Sequence, residues 1–218
     1  MIHLKRGTEE FWPSRHGYKD VNYSLILDEQ ELRKICEAAY ISSFMPWKII
    51  YATLKKTLAS GVCSGISAYT LINFYDNKLP SPDAKFWIAV FQARTWGGPF
   101  FRQALASYFL STEKALKIIL RGIGVNVFAK LPLLVILPRL IYCKNITQAH
   151  TVIPYRQREG LENIYLHVYD SNFPSDDTKV LVYNKTSGFW RYEDKDSKEW
   201  VLTVNSLENL TCKVPFLL

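Results

Sequence analysis

With 218 residues, 48% of them hydrophobic and 14% aromatic, the chain has enough apolar mass for one domain with a real core, which excludes a disordered polypeptide. The net charge of +7 is carried by scattered residues such as Lys55-Lys56, Lys114, Lys117, Arg121, Lys130 and Arg139, and no long basic run, zinc-finger or RNP-type pattern calls for a nucleic-acid partner. The four cysteines (Cys36, Cys63, Cys143, Cys212) contain no CxxC pair and Met1 to Gly7 has no apolar signal core, so a zinc ribbon and a thioredoxin-like motif are excluded and a reducing, cytoplasmic setting is expected.

Residues 1–27 read as extended or looped, with Pro13 and Gly17 as breakers. Asp28 is an N-cap for a helix from Glu29 to Tyr40, with Leu32, Ile35, Cys36 and Ala39 on one face. Ser42 or Ser43 caps a second helix over Pro46 to Leu58. Gly61 breaks the chain, and a helical pattern resumes from Cys63 to Phe74, which puts Cys63 at a helix N-terminus. Ser81-Pro82-Asp83 opens a helix that reaches Thr95, and Gly97-Gly98-Pro99 ends it. Phe100 to Phe109 forms another, and Ser111 caps a last one from Thr112 to Arg121, closed by Gly122.

After Gly122 the texture turns β-like, with runs at Leu133–Leu137, Thr151–Tyr155, Ile164–Tyr169, Lys179–Tyr183, Phe189–Tyr192 and Trp200–Val204. Polar turn clusters at Arg156–Asn163, Ser171–Asp177, Asn184–Gly188 and Glu193–Ser197 separate the later runs, which predicts an antiparallel sheet. The expected fold class is α+β in a single domain over 1–218, with a helical half at about 28–122 and a β-rich half at about 131–205. Lys130, Pro132, Pro138 and Arg139 interrupt the apolar stretch from Val125 to Tyr142, so it reads as a buried strand rather than the roughly 20-residue span a membrane helix needs. Contact with a membrane surface beside the basic residues is the alternative for this stretch.

Three short segments carry chemistry. Ser60-Gly61-Val62-Cys63-Ser64-Gly65 sets a cysteine between glycines at a helix start, where the positive end of the helix favours a thiolate. Gly61 and Gly65 would let backbone and substrate approach, Ser64 would leave the sulfur open, and the Cys63 backbone N–H could hold an oxyanion. Ala149-His150-Thr151 and Tyr169-Asp170-Ser171 supply a histidine and a carboxylate on successive strand-like runs, which an antiparallel pair can set side by side. A buried cysteine is more often a core residue than a nucleophile, and Asp170 alone could simply open a turn. The three together, in this order and local structure, make a nucleophile, its base and the group that orients the base. A metal site built from Cys63, His150 and Asp170 lacks a tight ligand motif and is the weaker reading.

The stretches Gly61-Val62-Cys63-Ser64-Gly65-Ile66-Ser67, Ala149-His150-Thr151-Val152-Ile153-Pro154-Tyr155 and Val168-Tyr169-Asp170-Ser171-Asn172-Phe173-Pro174 resemble the papain-like cysteine peptidase superfamily, in particular its peptidase C39-like branch of Cys-His-Asp proteins. The resemblance implies a cysteine opening a central helix, with histidine and acid on adjacent strands of an antiparallel sheet. It implies a cysteine hydrolase that cleaves a peptide or other amide bond through a thioacyl intermediate, with Cys63 as nucleophile, His150 as base and later acid, Asp170 as orienting carboxylate, and no metal or organic cofactor. Transglutaminase-like acyl transfer, deamidation, or a non-catalytic binding module on the same scaffold are the alternatives. Two positions depart from papain: Ser64 follows the cysteine where papain carries an aromatic, and Thr57 stands where its oxyanion glutamine would lie. Asn22 is a candidate substitute for that glutamine.

Overall fold

The computed structural model describes residues 1–41, 47–76, 83–95, 98–125, 131–138 and 149–211. The expected caps at Ser42, Ser43 and Ser81, and the cysteines Cys143 and Cys212, lie outside the described residues.

The chain opens with short extended pieces, β1 (Ile2–His3), β2 (Lys5–Arg6) and β3 (Glu9–Glu10), and one helical turn, α1 (Pro13–His16). Pro13 therefore starts a helix rather than breaking the chain, because at the first helical position its missing N–H has no intrahelical partner to lose. Six longer helices follow: α2 (Glu29–Ala38), α3 (Trp47–Ala59), α4 (Cys63–Asp76), α5 (Ala84–Arg94), α6 (Gly98–Tyr108) and α7 (Thr112–Val125). Asp28 caps α2 as the sequence predicts, and Glu31 returns a carboxylate to the Asp28 N–H to complete a capping box. Asp83 caps α5 by accepting from the Phe86 N–H at 2.9 Å.

Two glycine expectations are corrected. Gly98 and Pro99 open α6 instead of ending α5, since the first turn of a helix tolerates proline. Gly122 lies inside α7, because Ile123 continues the buried stripe of Ala115, Leu116 and Ile119. Burying that isoleucine offsets the roughly 1 kcal/mol that an interior glycine costs.

The second half supplies β4 (Pro132–Pro138), β5 (His150–Glu159), β6 (Asn163–Asp170), β7 (Val180–Asn184), β8 (Trp190–Tyr192), β9 (Lys195–Asp196), β10 (Trp200–Ser206) and a last helical turn, α8 (Glu208–Thr211). They form an antiparallel sheet in the order β10-β4-β5-β6-β7-β8-β9. The expected turn at 156–163 shrinks to residues 160–162, because β5 runs on to Glu159 through a bulge between Pro154 and Arg156. Proline has no N–H for the ladder, and the bulge absorbs the break. One flank of β5 is taken by β6. The other is shared by β4, opposite 150–152, and β1, opposite 156–157. The N-terminus thus completes the sheet, and the helix-then-strand order holds only from α2 onward.

The architecture is α+β, and α4 is its central helix, packed on α5 and on β5. Ile66, Leu71 and Ile72 of α4, Ile88, Val90 and Phe91 of α5, and Val152, Ile153 and Tyr155 of β5 are all fully buried in one core. Gly65 fixes how closely the two helices approach: a Cβ there would stand 2.1 Å from the Ile88 carbonyl oxygen. Among the described residues, no helix is long and apolar enough to cross a membrane.

Candidate active site

Cys63 is the first residue of α4, and its approach is built by the turn before it. Gly61 holds φ +125, a conformation that side-chain-bearing residues rarely adopt. Val62 accepts from the Ile66 N–H at 2.9 Å, and its own N–H donates to Asn22 Oδ1 at 2.8 Å. Gln92 Oε1, reaching from α5, accepts the Gly65 N–H at 3.0 Å. The orphan donors of this helix start are thus partly satisfied by distant side chains, and among the described residues the Cys63 N–H has no hydrogen-bond acceptor.

Two hydroxyls dock the helix start onto β5. Ser64 Oγ lies 2.5 Å from Thr151 Oγ1, and Ser67 Oγ donates to the Thr151 carbonyl at 3.4 Å. These contacts bring the Cys63 sulfur to His150, the first residue of β5. The expectation that Ser64 leaves the sulfur open is corrected: its hydroxyl is bound and its side chain buried, so it pins the helix instead. Gly65 likewise serves the contact with α5 rather than an approaching substrate.

His150 and Asp170 meet through the register of β5 and β6. Val152 lies opposite Asp170, so His150, two residues earlier on the same face, is its diagonal neighbour rather than its direct partner. The imidazole reaches across the diagonal, and Nε2 lies 2.8 Å from Asp170 Oδ1. With Nε2 committed to the carboxylate, Nδ1 is the ring nitrogen left for the thiol. All three residues are buried: Cys63 and His150 are each 7% exposed and Asp170 1%.

Asp170 has further partners that local sequence reading does not supply. The Asn172 N–H donates to Oδ1 at 2.8 Å, and the Tyr192 hydroxyl, from β8, makes a short hydrogen bond to Oδ2. The carboxylate is thus held at both oxygens while it orients the imidazole. Tyr192, Thr151 and Gln92 are the site residues that the sequence reading misses. Thr151 adjoins His150 and was within reach of notice, whereas nothing in the patterns around Tyr192 or Gln92 marks them.

The charges reinforce one another. Burial pushes the Cys63 thiol up, but the hydrogen bond and charge of His150, with a backbone hydrogen bond from Thr151, outweigh it and hold the thiol below its ordinary value. Burial pushes His150 down, and its hydrogen bonds to Asp170 and Cys63, with their charges, reverse this and raise the imidazole to about 10. Burial raises Asp170, but His150, the Tyr192 hydroxyl and the Asn172 N–H bring its carboxyl below the usual value. Burial and the neighbouring Asp170 push the Tyr192 hydroxyl up, so it stays a donor. A thiol held low, an imidazole held high and a carboxyl held low each favour the charged form of the group along the row. Among the described residues, no group of three or more His, Cys, Asp or Glu is arranged to hold a metal ion.

Comparison with protein-family models, with curated proteins and with solved structures returns no match. The functional reading therefore rests on the geometry.

Proposed function

We propose that the protein is a papain-like cysteine hydrolase that cleaves an amide or peptide bond. The observation that carries the reading is the buried Cys63-His150-Asp170 row, with Nε2 of the histidine 2.8 Å from the carboxylate and the Cys63 thiol, at a helix start, interacting with the same imidazole. A structural cysteine would need neither the imidazolium nor the carboxylate that holds it, and burying such charges is costly unless they are used or fully paired.

The chemistry follows from the positions. The Cys63 thiolate attacks the substrate carbonyl carbon, a C–S bond forms, and the carbonyl electron pair moves onto oxygen. The Cys63 N–H, at the positive end of α4, is placed to donate to that oxyanion. As the oxyanion collapses the C–N bond breaks, and His150 gives its proton to the departing amine. The thioester is then hydrolysed by a water whose proton His150 accepts, which releases the acid and restores the thiolate and imidazolium. Asp170 keeps the ring oriented throughout and is never itself protonated.

Cys63→Ala tests this directly. It should abolish turnover of amide substrates and labelling by acyl probes, a loss on the order of 10³-fold or more, with folding retained. A broad peptide and acyl-probe panel with no Cys63-dependent signal from well-folded protein would favour a binding module on this scaffold.

A further inference from the structure

We propose that Asn22 is the side-chain donor of the oxyanion site, with its Nδ2 amide acting beside the Cys63 backbone N–H; the assignment rests on the thiol-hydrolase reading. The segment carrying Asn22 is fixed at two points. The Asn22 N–H donates to the Ser171 carbonyl at 2.7 Å, next to Asp170, and the Leu25 N–H donates to the Leu58 carbonyl at 2.9 Å, at the end of α3. The side chain is fixed as well. Oδ1 accepts the Val62 N–H at 2.8 Å, which decides the orientation of the amide, because a flipped amide would set two donors against each other.

Among the described residues, that orientation leaves Nδ2 as the end without a hydrogen-bond acceptor, and Asn22 is half-buried rather than enclosed. Nδ2 lies over the bare Cα of Gly61: a Cβ built there would stand 3.0 Å from it. The left-handed backbone and missing side chain at Gly61 therefore admit the amide to the turn that leads into Cys63. Consecutive residues of that turn divide the work. The Val62 N–H holds the carbonyl end of Asn22, and the Cys63 N–H is open at the start of the helix. Thr57, six residues before the nucleophile, contributes nothing comparable, since its hydroxyl donates to the Thr53 carbonyl at 2.8 Å within α3. An amide donor held this way requires no reorganisation as the negative charge develops on oxygen.

The test compares two reactions of the same thiol. Acylation by p-nitrophenyl acetate passes through a tetrahedral oxyanion, and alkylation by iodoacetamide does not. Asn22→Ala removes the donor, while Asn22→Asp keeps an oxygen for the Val62 N–H and replaces the N–H end by a negatively charged oxygen, whose effect on the thiol's ionisation the alkaline plateau removes. In both variants the Cys63-dependent acylation rate should fall on the order of 10²- to 10³-fold. Alkylation, read on its alkaline plateau where the thiolate is complete, should be unchanged. Asn22→Asp keeps the test open should Asn22→Ala unfold. Equal loss in both reactions would make Asn22 a structural staple and overturn the proposal, as would no loss in either. If the parent protein itself lacks acylation that disappears in Cys63→Ala, the hydrolase reading fails and this assignment falls with it. That outcome is distinguishable because it arises before any change at Asn22.

Discussion

Replacing Asp170 by Asn removes a charge and keeps the shape. In the native site His150 Nε2 lies 2.8 Å from Oδ1, with both groups buried, so solvent and salt screen the pair little. A hydrogen bond to a charged group contributes about 1.5–3 kcal/mol. At about 1.4 kcal/mol per pKa unit, losing it should bring His150 down by roughly 1–2 units, from about 10 to the region of 8–9. The direct assay is NMR titration of the His150 C2–H, assigned by its disappearance in His150→Ala, since the chain has only four histidines. Stability provides a second readout. A histidine raised in the folded state stabilises fully below its unfolded value near 6.5 and loses that contribution as pH rises through the folded value of about 10. The native protein should therefore lose stability toward pH 10, and the variant should show a smaller and earlier loss. Turnover should fall less than in Cys63→Ala, because the base survives in a poorly held orientation. A His150 midpoint that does not move in folded Asp170→Asn, or one already near 6.5 in the parent, would refute the ion-pair row.

Two further outcomes follow from the packing around this row. Tyr192→Phe leaves Asp170 Oδ2 without its hydroxyl donor and should destabilise the protein by about 1–3 kcal/mol in urea denaturation. It should also bring acid unfolding to higher pH. A carboxylate held low stabilises above its unfolded pKa and loses that contribution as pH falls through its folded value, which the variant raises. Gly65→Ala would drive a methyl group into the Ile88 carbonyl, forcing α4 away from α5, and should cost about 3 kcal/mol or more. An unchanged thermal midpoint in Gly65→Ala would mean that the contact between the helices is looser than the backbone geometry requires.

Much of the candidate site was legible locally. A glycine-led turn into an apolar helical pattern marks a helix start wherever it occurs, and Cys63 is the first residue of α4. His150 and Asp170 adjoin the β-like runs Thr151–Tyr155 and Ile164–Tyr169 and stand at the start and end of β5 and β6, and the polar cluster between the runs announces an antiparallel return. Punctuation by glycine and proline was less reliable. Gly122 and Pro13 both sit inside helices, because the burial of Ile123 in one case and the permissive first turn in the other outweigh a local breaker.

The sequence by itself determined the order of the main helices and strands from α2 onward and the residue types able to form a nucleophilic row, because periodicity and turn chemistry act between near neighbours. Tertiary structure alone decided which distant groups complete it. The chain separation between Tyr192 and Asp170, between Gln92 and Gly65, and between Asn22 and Val62 is bridged by single hydrogen bonds. Such pairings carry no local pattern, since they depend on strand register and on how closely α4 lies against α5. Gly65 is the plainest case: its sequence neighbours suggest room for a substrate, and only the Ile88 carbonyl beside it reveals that the space belongs to another helix.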